Sequence, residues 1–368
     1  MKFTCTKENL IKSLNFVSHL AGKNISLPIL NNVLISAQEN ILEILATNLE
    51  IGIKAKTRGK VEQDGKTTLP ARILTNFINF LPEEKVDFEL QNGEVKISSG
   101  EWNTKIKSQS SEDYPLIPEV DKKNNLKIKV NNLKNALNQT VFAAVTNESR
   151  PELSGALFKI IGKQLFVVAT DSYRLAEKKT EVLNEIKNES SFIVPIKTLQ
   201  ELIRILTDFP QDDELDIFWE ESQIKFSVTD VEITSRLIDG EYPDYQQIIP
   251  QTSQTQAVFS KQEMINAIKA ASLFSKTGIF DVTLEFKSPD KIIIKSVNAQ
   301  LGENEARLKA KVVGEDNNIV FNYHYILEGL INIPQEKVVL ELTTSANPAI
   351  LKPEGSQDYL YLIMPIRQ

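Results

Sequence analysis

The sequence predicts an α+β fold made of three tandem repeats of one domain design, and three observations predict it. First, the stretches at 69–90, 194–218 and 321–342 share one order: a short helical apolar pattern, a proline that stops it, an acidic turn and an alternating strand. The stopping prolines are Pro82, Pro210 and Pro334, spaced by 128 and 124 residues. Second, an earlier helical pattern recurs in step with it, at 6–20, 130–145 and 260–275. Third, between these helices the apolar period switches from that of a helix to two. A repeat this long is a whole domain, since solenoid units run to roughly 20–50 residues.

Each element has a local reason. The first helices place Leu10, Leu14 and Val17, then Leu133, Leu137 and Val141, then Met264, Ile268 and Ala271 on one face. Thr6, Asn131 and Ser260 stand where N-caps belong, because a side-chain oxygen there accepts an otherwise unpaired N–H of the first turn. Val86-Phe88-Leu90, Ile224-Phe226-Val228 and Val338-Leu340-Leu342 alternate as half-buried strands. Asn92-Gly93 between two such runs predicts a two-residue type I′ hairpin. Helices alternating with strands in this way imply mainly antiparallel sheets with helices gathered on one side. Proline-bearing polar stretches at 110–125 and 241–256, both with an acid-Tyr-Pro core, set the expected domains at 1–120, 126–252 and 253–368. With no long linker, the three domains are expected to abut as a rigid arc.

The 368 residues allow about 120 per repeat, enough for each to bury a core. No apolar run approaches the roughly 20 residues of a membrane helix, and the N-terminus lacks a secretory pattern, so a cytoplasmic protein with no membrane partner is expected. A single cysteine, Cys5, fits a reducing compartment and reads as a small buried side chain. The net charge of −7 argues against simple electrostatic capture of nucleic acid. The charge is nevertheless uneven. Lys7, Lys12 and Lys23 near the first helix, Lys134 and Arg150 in the second repeat, and Lys261 and Lys269 in the third gather positive charge on the helical stretches.

Catalytic constellations are hard to assemble. The histidines, His19 and His324, fall in different repeats, which leaves little for a nucleophile–base pair. Gly65-Lys66-Thr67 has the ending of a phosphate-binding loop, but five residues separate it from Gly59 and Leu69-Pro70 follows where a helix should run. Asp212, Asp213, Glu214 and Asp216 lack the spacing and glycine of a calcium loop and read as a solvated turn. No cofactor is expected.

Several segments, in order along essentially the whole chain, resemble the bacterial DNA polymerase III beta subunit, the sliding-clamp family. They are MKFTCTKENLIKSL at the start, LPILNNVLI (27–35), LATNLEIGI (45–53) and TTLPARIL (67–74). ELSGALFKI (152–160), ATDSYRLA (169–176), FIVPIKTLQEL (192–202) and LIDGEYPDYQQIIP (237–250) follow, then FNYHYILEGL (321–330) and YLIMPIR (361–367). The resemblance implies three clamp-type domains and a head-to-tail homodimer, a six-domain ring with helices inside and sheets outside, encircling duplex DNA. The sizes agree: twelve inner helices about 9 Å apart give a diameter of about 34 Å through their axes. Removing about 10 Å for one helix thickness leaves about 24 Å, and a duplex about 20 Å wide passes.

The resemblance also implies functional residues. Lys7, Lys12, Lys23, Asn24, Arg72, Lys134, Arg150, Lys197, Lys261 and Lys269 are the candidates for facing DNA; Asn24 stands where the family often has arginine. A pocket for linear motifs of partner proteins would comprise Leu153, Thr170, Tyr173, Arg174, Leu175, Pro243, Gln247 and Ile248. Ala346, Pro348, Leu362, Met364, Pro365, Ile366 and Arg367 would complete it. Tyr173 replaces a frequent histidine and Gln247 a frequent arginine, which implies an altered motif preference. The partners implied are the replicative polymerase alpha subunit, the clamp-loader delta subunit, and other polymerases and repair proteins. Ile106, Leu273 and Phe274 are candidate contacts between copies, with a core role as the alternative. From the residues alone two other readings stay open: a metal-dependent DNA-processing enzyme using Asp171, Asp212 or Asp213, and a clamp-like peptide scaffold that does not encircle DNA.

Overall fold

The structure, a computed structural model, describes residues 1–22, 26–145 and 149–367. Six helices recur in pairs: α1 (Lys7–Val17), α2 (Ala71–Phe80), α3 (Val130–Thr140), α4 (Ile196–Leu206), α5 (Lys261–Ser272) and α6 (Tyr323–Ile331). The predicted stops are seen, since α2, α4 and α6 end two to four residues before Pro82, Pro210 and Pro334. Thr6 and Ser260 cap α1 and α5 through their hydroxyls. Asn131 does not cap: α3 starts at Val130, which puts Asn131 inside the first turn. Val130 is recruited because its N–H donates to Asp213 O at 2.8 Å, as Lys7 N–H does to Glu84 O and Lys261 N–H to Glu336 O. The same contact thus starts the first helix of every repeat. The predicted apolar faces are buried, with Leu10, Leu14, Leu133, Leu137, Met264 and Ile268 fully enclosed.

The chain packs as two units, Met1–Val130 with Arg204–Leu237 and Asn131–Ile203 with Ile238–Gln368. In the first, a five-stranded sheet has Lys60–Gln63 at one edge and Trp102–Lys107 at the other. Its Asn92-Gly93 turn has φ of 49° and 78°, the two left-handed residues that a type I′ hairpin requires. An eight-stranded sheet in the same unit joins two repeats, because Ile51–Arg58 pairs antiparallel with Val231–Arg236. In the second unit a seven-stranded sheet likewise joins two repeats, through Arg174–Pro195 against Tyr359–Ile363. A four-stranded sheet there ends on Gly302–Lys309. The repeats therefore share sheets across their boundaries, and strands of the central repeat divide between the two units. Sheet sharing removes strand edges that would otherwise be left unpaired.

Candidate functional site

The Asx-turn built by Thr170–Arg174 carries the site in the second unit. Asp171 Oδ1 accepts the N–H groups of Tyr173 (2.9 Å) and Arg174 (3.0 Å), and Thr170 Oγ1 donates to Arg174 O at 2.6 Å. Ser172 takes φ of 78°, a left-handed residue at the tip. The turn recurs at Thr47–Ile51, where Asn48 Oδ1 accepts from Glu50 and Ile51, and Leu49 has φ of 76°. It recurs again at Asn298, whose Oδ1 accepts from Gln300 and Leu301.

Beyond the second turn lies an apolar surface. Leu175 and Leu362 are paired across the sheet, and with Leu157, Val168, Ile193 and Tyr245 they form one buried cluster. Met364, Tyr242, Ile238, Ile249 and Leu360 pack on it while staying partly exposed. Met364 is held by its N–H donating to Tyr173 O at 2.9 Å. Tyr242 anchors the acid-Tyr-Pro segment by donating to Val168 O at 3.3 Å, and burial pushes its hydroxyl pKa up. Tyr114, the equivalent in the first unit, donates to Asn32 O, and burial raises it to about 12. Burial also raises the Glu177 carboxyl, an effect that the Tyr245 hydroxyl only partly offsets.

The structure brings some predicted pocket residues together and separates others. Leu175, Leu362 and Met364 share one cluster; Thr170, Tyr173 and Arg174 form the adjoining turn. Tyr173 is exposed and stacks on Tyr325, ring centroids 6.3 Å apart. Arg174 adjoins the cluster with its guanidinium already engaged by partners of its own chain. It is 9% exposed and binds Asp171 Oδ2 (3.0 Å), Glu328 Oε2 and Phe142 O (3.1 Å), with Tyr325 under it at 4.8 Å. Burial alone would lower its pKa, but Tyr361, Glu328 and Asp171 more than offset that, so it stays charged. Asp171 is equally committed to the turn, and among the described residues it belongs to no group arranged to hold a metal ion. Leu153 is buried in the 3-10 turn Pro151–Leu153. Ile248 and Gln247 are exposed, with Gln247 Nε2 donating to Asp244, and Pro243 is half-buried. Ala346 is exposed and Pro348 half-buried; of the tail, Pro365 and Ile366 are half-buried and Arg367 exposed, and Ile366 N–H donates to Val320 O.

Sequence reasoning missed Leu157, Val168, Ile193, Ile238, Tyr242, Tyr245, Ile249 and Leu360. The signal for the tyrosines was present in the repeated acid-Tyr-Pro core, whose second copy supplies part of the wall.

The DNA-facing candidates divide sharply. Lys12, Arg72, Lys197 and Lys269 are exposed on α1, α2, α4 and α5, and Lys134 is half-buried on α3. Lys7 and Lys261 have partners of their own: their ammonium groups donate to Leu81 O (2.5 Å) and Ile333 O (2.8 Å), carbonyls just past the ends of α2 and α6. That is the favourable end of a helix dipole for a cation, so both tie the paired helices together. Arg150 is not on α3, which ends at Thr140; it pairs with Glu152 at 3.1 Å and donates to Ser172 Oγ at 3.2 Å beside the turn. Lys23 and Asn24 lie outside the described residues. Gly65-Lys66-Thr67 is part of the strand Gly65–Pro70. Asp212 and Asp216 pair with Lys129 and Lys127, and among the described residues no acidic, histidine or cysteine group is arranged to hold a metal ion.

Ile106 is 6% exposed in the first unit, so most of its surface is already spent on its own core. Leu273 is 71% exposed, and Phe274 is half-buried beside Gly302. Val297 and Leu301, which flank the Asn298 turn, are exposed as well.

Family models of the DNA polymerase III beta subunit match three successive stretches: the N-terminal domain at residues 1–118, the central domain at 127–244 and the C-terminal domain at 246–367. The beta sliding clamp of Bacillus subtilis is 31% identical over 380 residues, covering 100% of both chains. That of Synechocystis is 29% identical over 388 residues, covering 100% of this chain and 99% of the other. Among solved structures, the Bacillus subtilis DNA polymerase sliding clamp superposes with a TM-score of 0.96 at 30% identity, covering 100% and 99%. The Pseudomonas aeruginosa clamp gives 0.95 at 27% identity, covering 100% of both. A turn repeated three times, an apolar wall beside its second copy and agreement along the full length all lead to one statement: the chain belongs to the bacterial DNA polymerase III beta subunit family, the sliding clamps.

Proposed function

We propose that this protein is a processivity clamp, a homodimeric ring that encircles duplex DNA and tethers the replicative polymerase without catalysing a reaction. The full-length family match carries this reading. A ring holds DNA by topology, so a net charge of −7 is no obstacle, and a weakly basic lining limits the drag that each neutralised phosphate would add. Lys12, Arg72, Lys134, Lys197 and Lys269 are the lining candidates; Lys7 and Lys261 contribute charge while holding helix ends. The functional domains run over 1–120, 126–252 and 253–368, and the protein works in the bacterial cytoplasm.

The repeated turn supports a specific closure of the ring. In both internal junctions, the strand after an Asx-turn pairs antiparallel with the last strand of the next repeat. Gly52, which pairs with Thr47 across the hairpin, lies opposite Thr234; Leu175, which pairs with Thr170, lies opposite Leu362. The third such strand, Gly302–Lys309, is a sheet edge, as is Trp102–Lys107, the last strand of the first repeat. Continuing the pattern with a second copy sets Glu303 opposite the partner's Lys105, because Glu303 pairs with Val297 as Gly52 does with Thr47. Ile106 then meets Gly302 and Phe274, where its remaining exposed surface and the uncovered Leu273 patch would be buried.

The apolar wall of Leu175, Leu362, Met364, Tyr242 and Tyr245 is the site for linear motifs of the polymerase alpha subunit, the loader delta subunit and repair proteins. A thioether on the rim adapts to varied side chains. Opening requires a separate ATP-driven loader. The deciding experiment places the protein on nicked circular DNA with loader and ATP, then linearises the DNA with one restriction cut. Release on cutting is expected; equal retention on circle and line means binding by affinity, and the ring reading fails.

A further inference from the structure

The first helices of the three repeats can be compared position by position, because the same backbone contact starts each of them. Their second, sixth and ninth residues lie four and three apart and so share one face. On α1 that face reads Glu8, Lys12 and Asn15, on α5 Gln262, Asn266 and Lys269, and on α3 Asn131, Asn135 and Asn138. All are exposed except Asn131, which is half-buried. Lys12 and Lys269 are lining candidates of the ring, so α3 presents asparagines where its counterparts present lysines. Lys134, the one cation of α3, stands at the fifth position, which Ile11 and Ile265 fill in the other two as half-buried or buried side chains. The carboxamides are also paired along the helix axis. Asn135 Nδ2 donates to Asn131 Oδ1 at 3.2 Å, and Gln262 Nε2 donates to Asn266 Oδ1 at 3.1 Å. Each pair uses the acceptor's oxygen and leaves that residue's NH2 able to donate elsewhere. Asn135 and Asn138 also line a cleft of about 990 Å³, whose wall adds Asn332, Gln335 and Gln357. Lys178 and Lys179 in that wall are matched in number by Glu181 and Asp358. Donors are dense on this face while net charge is absent.

We propose that Asn131, Asn135 and Asn138 of α3, with Gln262 and Asn266 of α5, donate hydrogen bonds to phosphate oxygens of the encircled duplex. The inference rests on the reading of the protein as a ring around DNA. Carboxamides are ordinary phosphate donors, and unlike lysine they release no condensed counterion. Contact through them therefore adds friction to sliding that salt does not weaken, whereas friction from Lys12 falls as salt rises. The test tracks fluorescent full-length protein, placed by loader and ATP on a duplex tethered at both ends, at about 50 and 200 mM salt. The substitutions Asn131→Ala, Asn135→Ala, Gln262→Ala and Asn266→Ala are made together, since alanine suits surface positions of a helix. This quadruple variant is expected to diffuse about two-fold faster, by the same factor at both salts. Lys12→Ala should speed diffusion by a factor that shrinks with salt. An unchanged diffusion coefficient in the quadruple variant would overturn the proposal. So would a gain that shrinks with salt as that of Lys12→Ala does, because the effect would then be electrostatic. One restriction cut in the tethered duplex separates the two readings. Release at the new end leaves the ring standing whatever the diffusion shows, and retention there overturns the ring and this inference with it.

Discussion

Arg174 shows how little a residue's type says about its partners. The resemblance implied a place in the pocket wall, and its three nitrogens are divided between Asp171, Glu328 and Phe142 O, from 3 to 154 residues away. No spacing rule exposes partners at that separation. Leu175 and Met364, by contrast, were legible through the family resemblance of ATDSYRLA (169–176) and YLIMPIR (361–367), and they meet in one cluster. Their substitutions should behave differently. Leu175 is 1% exposed, so Leu175→Ala is expected to cost about 2–5 kcal/mol of stability as well as affinity. Met364 is only partly buried, so Met364→Ala should leave the midpoint of urea unfolding nearly unchanged. It should still weaken a fluorescein-labelled polymerase-tail peptide by about tenfold, equivalent to about 1.4 kcal/mol. Anisotropy titration checks this, and an unaltered dissociation constant with intact dimer would remove Met364 from the pocket.

At the scale of elements, helices and hairpins were largely legible and the sheets were not. Helix faces follow from period and ends from prolines, both local properties. Strand partnership is non-local: nothing in Val231–Arg236 says that it completes the first repeat's sheet by pairing with Ile51–Arg58. The same holds for Arg174–Pro195, which pairs with the last strand of the third repeat and carries Glu177 opposite Leu360. Burial there raises the Glu177 pKa above that of the unfolded chain. Below the unfolded value both states are protonated and no penalty exists. As pH rises, the unfolded chain releases its proton first, and stability falls until the folded pKa is passed. Glu177→Gln should therefore raise the melting temperature at neutral pH and change it little in mild acid. Thermal melts at both pH values test it, and a variant destabilised equally at each would mean that the carboxylate is stabilising where it stands.

At the scale of the whole molecule, three Asx-turns in series leave one unmatched strand at each end of the pattern, and the proposed closure pairs these two edges across copies. The ring was legible in the sequence only through repetition and resemblance, since no single residue encodes a hole. Its closure has a consequence that affinity cannot imitate. Lys105→Cys with Glu303→Cys places two thiols opposite each other at each junction between copies. The native Cys5 is buried, with its thiol raised to about 12, and stays out of the reaction. Two disulfides then join the chains into one covalent loop running through both copies. If the doubly substituted protein is placed on nicked circular DNA by the loader and then oxidised, the loop is linked to the circle even when unfolded. It should survive a denaturing wash, and either a reductant or one restriction cut should free it. Cross-linked dimer that washes away from intact circles would show that the strands meet without DNA between them, and the encircling mechanism would fall while the register stood.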